Sequence, residues 1–122
     1  MITGIHALIY SPDAARVREL LRDVIGWPSV DAGGGWPIFA LPPAEVAVHP
    51  VDDSAGAPHQ ELYLMCDNLD ATIAELGARG VEMARPVTNQ PWGASTAIKL
   101  PGGGEIGLYQ PRHPTALALG NR

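Results

Sequence analysis

Apolar residues recur along the chain in a pattern that predicts strands and helices in a repeated order. Residues 5–10 are apolar enough for a buried strand. Ser11, Pro12 and Asp13 then favour a helix start, because a serine oxygen can accept from first-turn amides and proline suits the first helical position. Gly26 is placed to end this helix, and short extended pieces are predicted at 28–31, 36–41 and 45–49. The order is β-α-β-β-β.

The same order returns after the polar segment 51–58. Residues 61–66 have the composition of a strand, and Asp67 or Asn68 can cap a helix that ends at Gly80. Extended pieces are predicted at 81–87, 95–100 and 105–109, with a glycine-rich hairpin loop at 101–104.

The two halves also match residue by residue, which is typical of an internal repeat. Glu45 corresponds to Glu105, Val46 to Ile106, Ala47 to Gly107, Val48 to Leu108 and His49 to Tyr109. The alternative is a chance likeness between two strand-helix-strand runs. We predict one α+β domain of two β-α-β-β-β modules, with module one at about 3–50, a linker at 51–58, module two at about 59–111 and a tail at 112–122.

The composition and net charge limit the kinds of partner that the protein is expected to have. The chain has 122 residues, 46% of them hydrophobic, and no apolar run long enough to span a bilayer. The first residues lack the basic region of a secretory signal, so we expect a cytoplasmic protein. The single cysteine, Cys66, excludes an internal disulfide and is expected to be a buried, inert thiol. A net charge of -5 without a Lys/Arg cluster argues against nucleic-acid and membrane partners.

Three segments carry a resemblance to a known family. They are the strand that bears His6, the passage ELYLMCDNLDATIAELGARGVE from Glu61, and the closing hairpin LPGGGEIGLYQP. Together the chain resembles the glyoxalase, bleomycin-resistance and extradiol dioxygenase superfamily over about residues 5–111. The resemblance implies two modules whose sheets curl into a half-open barrel around a concave ligand cavity, often completed by dimerisation.

The resemblance also implies four positions for a metal in the metal-dependent members. In this sequence they are His6, Ala47, Glu61 and Gly107. Ala47 has no donor atom, and Gly107 stands where the family's closing glutamate would be. Since Zn, Fe and Ni sites need three or four convergent donors, the remaining pair falls short. We expect no cofactor, and a divalent metal is the alternative.

Strand parity indicates which side chains face the cavity, because successive strand residues alternate faces. It places His6 and Tyr10 on the cavity side of the first strand, and Glu61, Tyr63 and Met65 on that of the later one. Parity also places Ala47 with His49, and Gly107 with Tyr109, on this face. The same alternation predicts that Val46, Val48, Ile106 and Leu108 pack under the helices.

The leading functional expectation is a metal-free homodimer that binds a small hydrophobic or aromatic molecule. The expected ligand-binding residues are Tyr10, Trp36, His49, Tyr63, Trp92 and Tyr109, because such side chains supply area and a polar tip. Two enzymatic functions are alternative hypotheses. One is a metal-dependent lyase or dioxygenase with a rearranged site at His6 and Glu61, completed by His49 or water. The other is a metal-free isomerase with Glu61 as base and His6 as acid.

Overall fold

The structure is a computed structural model that describes residues 6–49 and 60–121. Its helices are α1 (Ala14–Glu19), a π-helical turn that continues α1 (Leu20–Ile25), α2 (Leu69–Ala78) and a 3-10 helix (Leu117–Asn121). Its strands are β1 (Ser29–Asp31), β2 (Pro37–Phe39), β3 (Tyr63–Met65), β4 (Thr88–Gln90), β5 (Gly93–Lys99) and β6 (Glu105–Pro111). The protein is therefore of the mixed α+β class. In the described ranges no helix is long and apolar enough to cross a membrane.

The part of the chain from β3 to β6 has the predicted β-α-β-β-β order. Its four strands form one sheet in the order β3-β6-β5-β4. Strand β3 lies parallel to β6, with Tyr63 opposite Gly107, and β5 pairs antiparallel with both β6 and β4. A parallel pair needs a crossover connection, which α2 supplies. Strand β3 thus forms one edge of the sheet.

Local signals in the sequence fix the two ends of α2. The side chain of Asn68 accepts a hydrogen bond from the Ala71 amide at 3.0 Å, so Asn68 is the cap. The amide of Leu69, the first residue of α2, donates to the side-chain oxygen of Gln110 at 2.8 Å. This bond connects the start of the helix to β6. Gly80 adopts φ 86° after the helix, and the Val81 amide returns to the Leu76 carbonyl at 3.0 Å. Both predicted ends are confirmed.

The core lies between the four-stranded sheet and the helices. Leu69, Ile98 and Leu108 are buried in one apolar cluster, and Ile106 packs with Leu20 in a second. The prediction that Ile106 and Leu108 face the helices is confirmed. Burial of each large aliphatic side chain contributes about 1.5–3 kcal/mol, so β5 and β6, which carry Ile98, Ile106 and Leu108, anchor this part of the fold.

The first half of the chain differs from its predicted pattern. Residues 6–10 and 45–49 form no strand; residue 5 lies outside the described residues, as does the predicted linker. The prediction that Val46 and Val48 pack under a helix is wrong, since they are 84% and 92% exposed. Among the described residues, strands β1 and β2 pair only with each other, with Val30 opposite Ile38. A strand needs a neighbouring strand to pair its backbone N–H and C=O groups. Residues 6–10 and 45–49 have no such neighbour in the described chain.

One other predicted strand is shortened. Instead of a strand at 81–87, the structure has an isolated bridge between Met83 and Ile98, and β4 begins only at Thr88. Pro86 lies between the two and has no amide hydrogen to donate to a ladder. The proline at this position therefore explains why the strand is interrupted.

The two halves of the chain meet at the glycine-rich hairpin. The Ser11 hydroxyl donates to the Pro101 carbonyl at 3.1 Å and accepts from the Asp13 amide at 3.0 Å. Gly102 adopts φ +84°, and a Cβ there would come within 2.8 Å of the Asp13 Cβ. Only glycine lets this loop approach the start of α1 so closely.

Candidate functional site

A cavity of about 580 Å³ runs along the β3 edge of the sheet. It is lined by the end of the π-helical turn, by segment 41–47, by residues of β3 from both of its faces, and by α2. Its apolar lining includes Trp27, Leu41, Leu62, Met65, Leu76 and Leu117. This volume lies within the range of small-molecule sites, which are mostly apolar with a few placed polar groups.

Four rings form an aromatic cluster: Tyr63 and Tyr109, which line this cavity, and Trp92 and His113, which contact Tyr109. Tyr109 lies at the centre, edge-on to Tyr63 with ring centroids 5.8 Å apart and edge-on to Trp92 at 5.7 Å. His113 stacks on Tyr109 at 5.9 Å. Tyr109 is buried, whereas Tyr63 and Trp92 are 39% and 42% exposed. The outer rings therefore keep accessible faces that a ligand can cover.

The Tyr63 ring occupies the space above Gly107. A Cβ built on Gly107 would overlap the ring and lie 2.7 Å from its Cγ. Because this glycine has no positive φ, space alone and not backbone conformation requires glycine here. Position 107 is one of the four to which the family resemblance assigns a metal ligand, and in this chain a tyrosine ring fills the place.

The donor set does not fit the usual metal site. Ala47 and Gly107 offer no donor atom, and His6 and Glu61 alone are too few. Among residues 6–49 and 60–121, no group of three or more His, Cys, Asp or Glu side chains is arranged to hold a metal ion.

Hydrogen bonds hold Trp92 against Tyr109. The Trp92 carbonyl accepts from the Arg112 amide at 2.8 Å. The Arg112 guanidinium donates to the Asn89 side chain at 2.9 Å and to the Gln90 carbonyl at 3.3 Å. The turn between β4 and β5 is thus fixed to the residue that follows β6, and Trp92 is placed over the centre of the cluster.

The polar groups of the site come from segment 41–49, β6 and the tail. The Glu45 carboxylate lines the cavity and accepts from the Ala116 amide at 2.7 Å, which joins that segment to the tail. The Tyr109 hydroxyl lies 3.0 Å from Nε2 of His113, and Nδ1 of His113 lies 2.8 Å from the Pro114 carbonyl. Burial, and to a smaller extent the negative charge of Glu45, raise the pKa of the Tyr109 phenol.

The structure brings some of the predicted site residues together and not others. Tyr63, Tyr109, Glu61 and Ala47 line the cavity, and Trp92 joins through its contact with Tyr109. Trp92 itself is not a lining residue, and the predicted residues His6, Tyr10, Trp36 and His49 lie outside the lining and are exposed.

Two of the other predicted residues have clear surroundings. Trp36 packs under the Arg18 guanidinium, whose carbon lies 4.6 Å from the ring centroid, at the β1–β2 hairpin. Cys66 lies beside the core cluster of α2, and its thiol donates to the Tyr109 carbonyl at 3.5 Å. Burial raises the pKa of this thiol, in agreement with the inert cysteine expected from the sequence.

Sequence reasoning did not select Glu45 or His113 for the site. Glu45 repeats Glu105 in the internal alignment, and that match gave no sign of a cavity role. His113 follows β6 in a segment without periodicity. Its only signal is its position four residues after Tyr109, with Pro111 and Pro114 on either side to turn the chain.

The fold and the site together define a class: an α+β protein with a β-α-β-β-β unit and a ligand-sized cavity walled by aromatic rings. Residues 5–108 match the profile of the Glyoxalase/Bleomycin resistance protein/Dioxygenase superfamily. The chain belongs to this superfamily, and the resemblance noted in the sequence is confirmed.

Solved structures agree with this assignment. TnmS3, an antibiotic binding protein from Streptomyces sp. CB03234, is 26% identical, with a TM-score of 0.63 over 90% of this chain and 97% of its own. A superfamily member from Sphaerobacter thermophilus DSM 20745 is 20% identical, with a TM-score of 0.60 over 89% and 98%. Lactoylglutathione lyase from Agrobacterium tumefaciens is 17% identical, with a TM-score of 0.56 over 88% and 92%. The last two share the fold. No curated protein matched the sequence.

Proposed function

We propose that this protein binds a small hydrophobic or aromatic molecule without a metal, in the cavity along β3. The observation that carries the proposal is the Tyr63 ring lying over Gly107. It replaces a metal-ligand position by an aromatic wall that continues into Tyr109 and Trp92. The likeness to TnmS3, an antibiotic binding protein, supports the same class of function.

The aromatic cluster supplies enough contact for useful affinity. Each favourable aromatic pair contributes about 0.5–1.5 kcal/mol beyond area burial. Removal of 100 Å² of apolar surface from water adds about 2.5 kcal/mol. A planar ligand that covers the open faces of Tyr63 and Trp92 gains from both contributions.

The protein acts as a homodimer in this proposal. Residues 6–10 and 45–49 correspond to β3 and β6, which pair in parallel in the second half of the chain. In the first half these segments expose Leu8, Tyr10, Val46 and Val48. A second copy can cover this surface, and light scattering coupled to size-exclusion chromatography tests it: a monomer at micromolar concentration rejects the dimer.

The metal-free part is tested by metal analysis of tag-free protein. We expect no stoichiometric metal, and no change in Tm after chelation or after addition of Zn, Ni, Mn, Co or Fe(II), because a site that prefers the folded state would raise the Tm. Stoichiometric metal, or a Tm increase that His6→Ala abolishes, would overturn this part and favour a metal-dependent lyase or dioxygenase.

The binding part is tested with fluorescent tricyclic probes and two tryptophan variants. Trp92→Ala is expected to weaken probe binding about 5- to 10-fold, since one aromatic contact is lost. Trp36→Ala is the control, because Trp36 is also an exposed tryptophan but lies against Arg18 at the β1–β2 hairpin, whereas Trp92 contacts Tyr109, which lines the cavity. Equal effects of the two variants, or no binding to wild type, would reject this cavity as the ligand site.

A further inference from the structure

The hydrogen bonds of His113 determine which atom carries its proton. The Pro114 carbonyl can only accept, so Nδ1 of His113 must be the protonated nitrogen in their 2.8 Å contact. In the neutral imidazole Nε2 is then an acceptor. The Tyr109 hydroxyl, 3.0 Å from Nε2, is therefore the donor of that hydrogen bond. The stacked rings hold the two groups in this arrangement.

This arrangement limits what Tyr109 can offer a ligand. A hydroxyl has one hydrogen to donate and two lone pairs. With its hydrogen committed to His113, the Tyr109 oxygen can only accept. The phenol stays protonated at neutral pH, since burial and Glu45 both raise its pKa. The neighbouring Glu45 carboxylate is also an acceptor, so two groups of the same hydrogen-bonding character lie at this end of the cavity.

The arginines around the site donate to protein acceptors, and one of them, Arg85, is paired with Glu105. Arg112 donates to Asn89 and to the Gln90 carbonyl. Arg79, on the other side of the cavity, donates to the Val24 carbonyl at 2.9 Å and to Glu75 at 3.3 Å. Each of these guanidinium groups already shares its N–H groups with protein acceptors, whereas a donor ligand would meet the Tyr109 and Glu45 oxygens directly.

We propose that His113 is a specificity-determining residue that makes the Tyr109 hydroxyl an acceptor toward the cavity. The site thereby selects aromatic ligands that carry a hydrogen-bond donor, a phenol hydroxyl or an amine, over ligands that carry a carboxylate. This inference rests on the proposed function, because it concerns the ligand class of the same cavity.

The test uses three tricyclic probes of similar shape: 2-aminoanthracene, 2-methylanthracene and anthracene-2-carboxylate. Fluorescence titration of wild type is expected to give the tightest binding for the amine, about 3- to 10-fold tighter than the methyl compound, as for one net hydrogen bond. The carboxylate is expected to bind most weakly, since it meets Glu45 and an oxygen without a free hydrogen.

Three variants separate specificity from structural support. Tyr109→Phe keeps the ring and is expected to remove the preference for the amine. His113→Ala releases the Tyr109 hydrogen, so the carboxylate should gain affinity while the amine loses it. His113→Gln can accept from Tyr109 through its amide oxygen and should restore the wild-type order.

A failure of the proposed function and a failure of this inference give different results. If none of the three probes binds wild type, the proposed function fails. If the probes bind wild type with equal affinity, or if His113→Ala weakens all three by the same factor, the proposed function survives and this inference is rejected.

Discussion

Replacement of Gly107 by alanine tests the packing on which the proposed site depends. The new Cβ would overlap the Tyr63 ring, because the two residues are opposite each other in the parallel β3–β6 pair. Strand β6 is held by buried Ile106 and Leu108 on its other face, so it cannot retreat. The ring must therefore leave its place over Gly107 and change its contact with Tyr109.

The expected cost is the balance of two destabilising contributions and one stabilising contribution. Overpacking in a well-packed region costs about 1–3 kcal/mol. Loss of the Tyr63–Tyr109 edge contact removes about 0.5–1.5 kcal/mol more. Alanine in place of glycine regains about 0.5–1 kcal/mol of backbone entropy in a strand. The free energy of unfolding should fall by about 0.5–4 kcal/mol.

Urea unfolding measures the effect, with two further variants for comparison. Gly77→Ala changes a glycine of α2 whose added Cβ meets nothing within 4 Å, and it should raise stability by about 0.5–1 kcal/mol. In a Tyr63→Ala background the obstructing ring is absent, so Gly107→Ala should be neutral or stabilising there. The double-mutant cycle isolates the contact between the two residues.

The reasoning about Gly107 would be refuted by a simple result. If Gly107→Ala is as stable as wild type and its effect does not depend on Tyr63, then the ring does not fill this space in solution. The aromatic wall of the proposed site would then have no structural basis.

Three further predictions concern single groups. Stability should decline as the pH rises above about 10, and less so in Tyr109→Phe, because a pKa raised above its ordinary value of 10.0 means that the unfolded chain loses this proton first; urea unfolding across pH 8–11 checks it, and identical curves would contradict it. Asn68→Ala should cost about 1 kcal/mol of stability through the lost cap of α2, and Asn68→Asp should cost much less; an equal loss in both would count against the cap. Cys66 should react slowly with a thiol reagent in native protein and rapidly in urea, since burial raises its pKa; fast native labelling would disagree.

The second half of the fold could be predicted from the sequence because its signals are local and mutually consistent. Asn68 and Gly80 mark the ends of α2, and the glycine-rich loop marks the hairpin between β5 and β6. Alternation in β6 correctly placed Ile106 and Leu108 toward the helices. Each of these signals depends on neighbours within a few residues.

The first half shows the limit of the same reasoning. Val46 and Val48 have the composition and alternation of a strand, yet both are exposed. Alternation states which face a residue would take if a strand formed, and it does not state whether a pairing partner is present. The same limit applies to the site. Strand alternation predicted the positions of Tyr63 and Tyr109, but His113 lies in a loop, where no alternation predicts the course of the chain.

The two faces of β6 explain how one strand can serve both stability and binding. Ile106 and Leu108 fix its position against the helices, although Leu108 also borders the cavity. Of the residues that alternate with them, Tyr109 lines the cavity and Gly107 lies under the Tyr63 ring, which lines it as well. Since the buried pair already holds the strand, the other face is free to carry a glycine and a tyrosine that suit a ligand. The backbone conformation would tolerate a side chain at Gly107, and the atoms nearest to an added Cβ are those of the Tyr63 ring. Residues 63 and 107 therefore act as one unit, and a change at either one alters the wall of the site without altering the core of the fold.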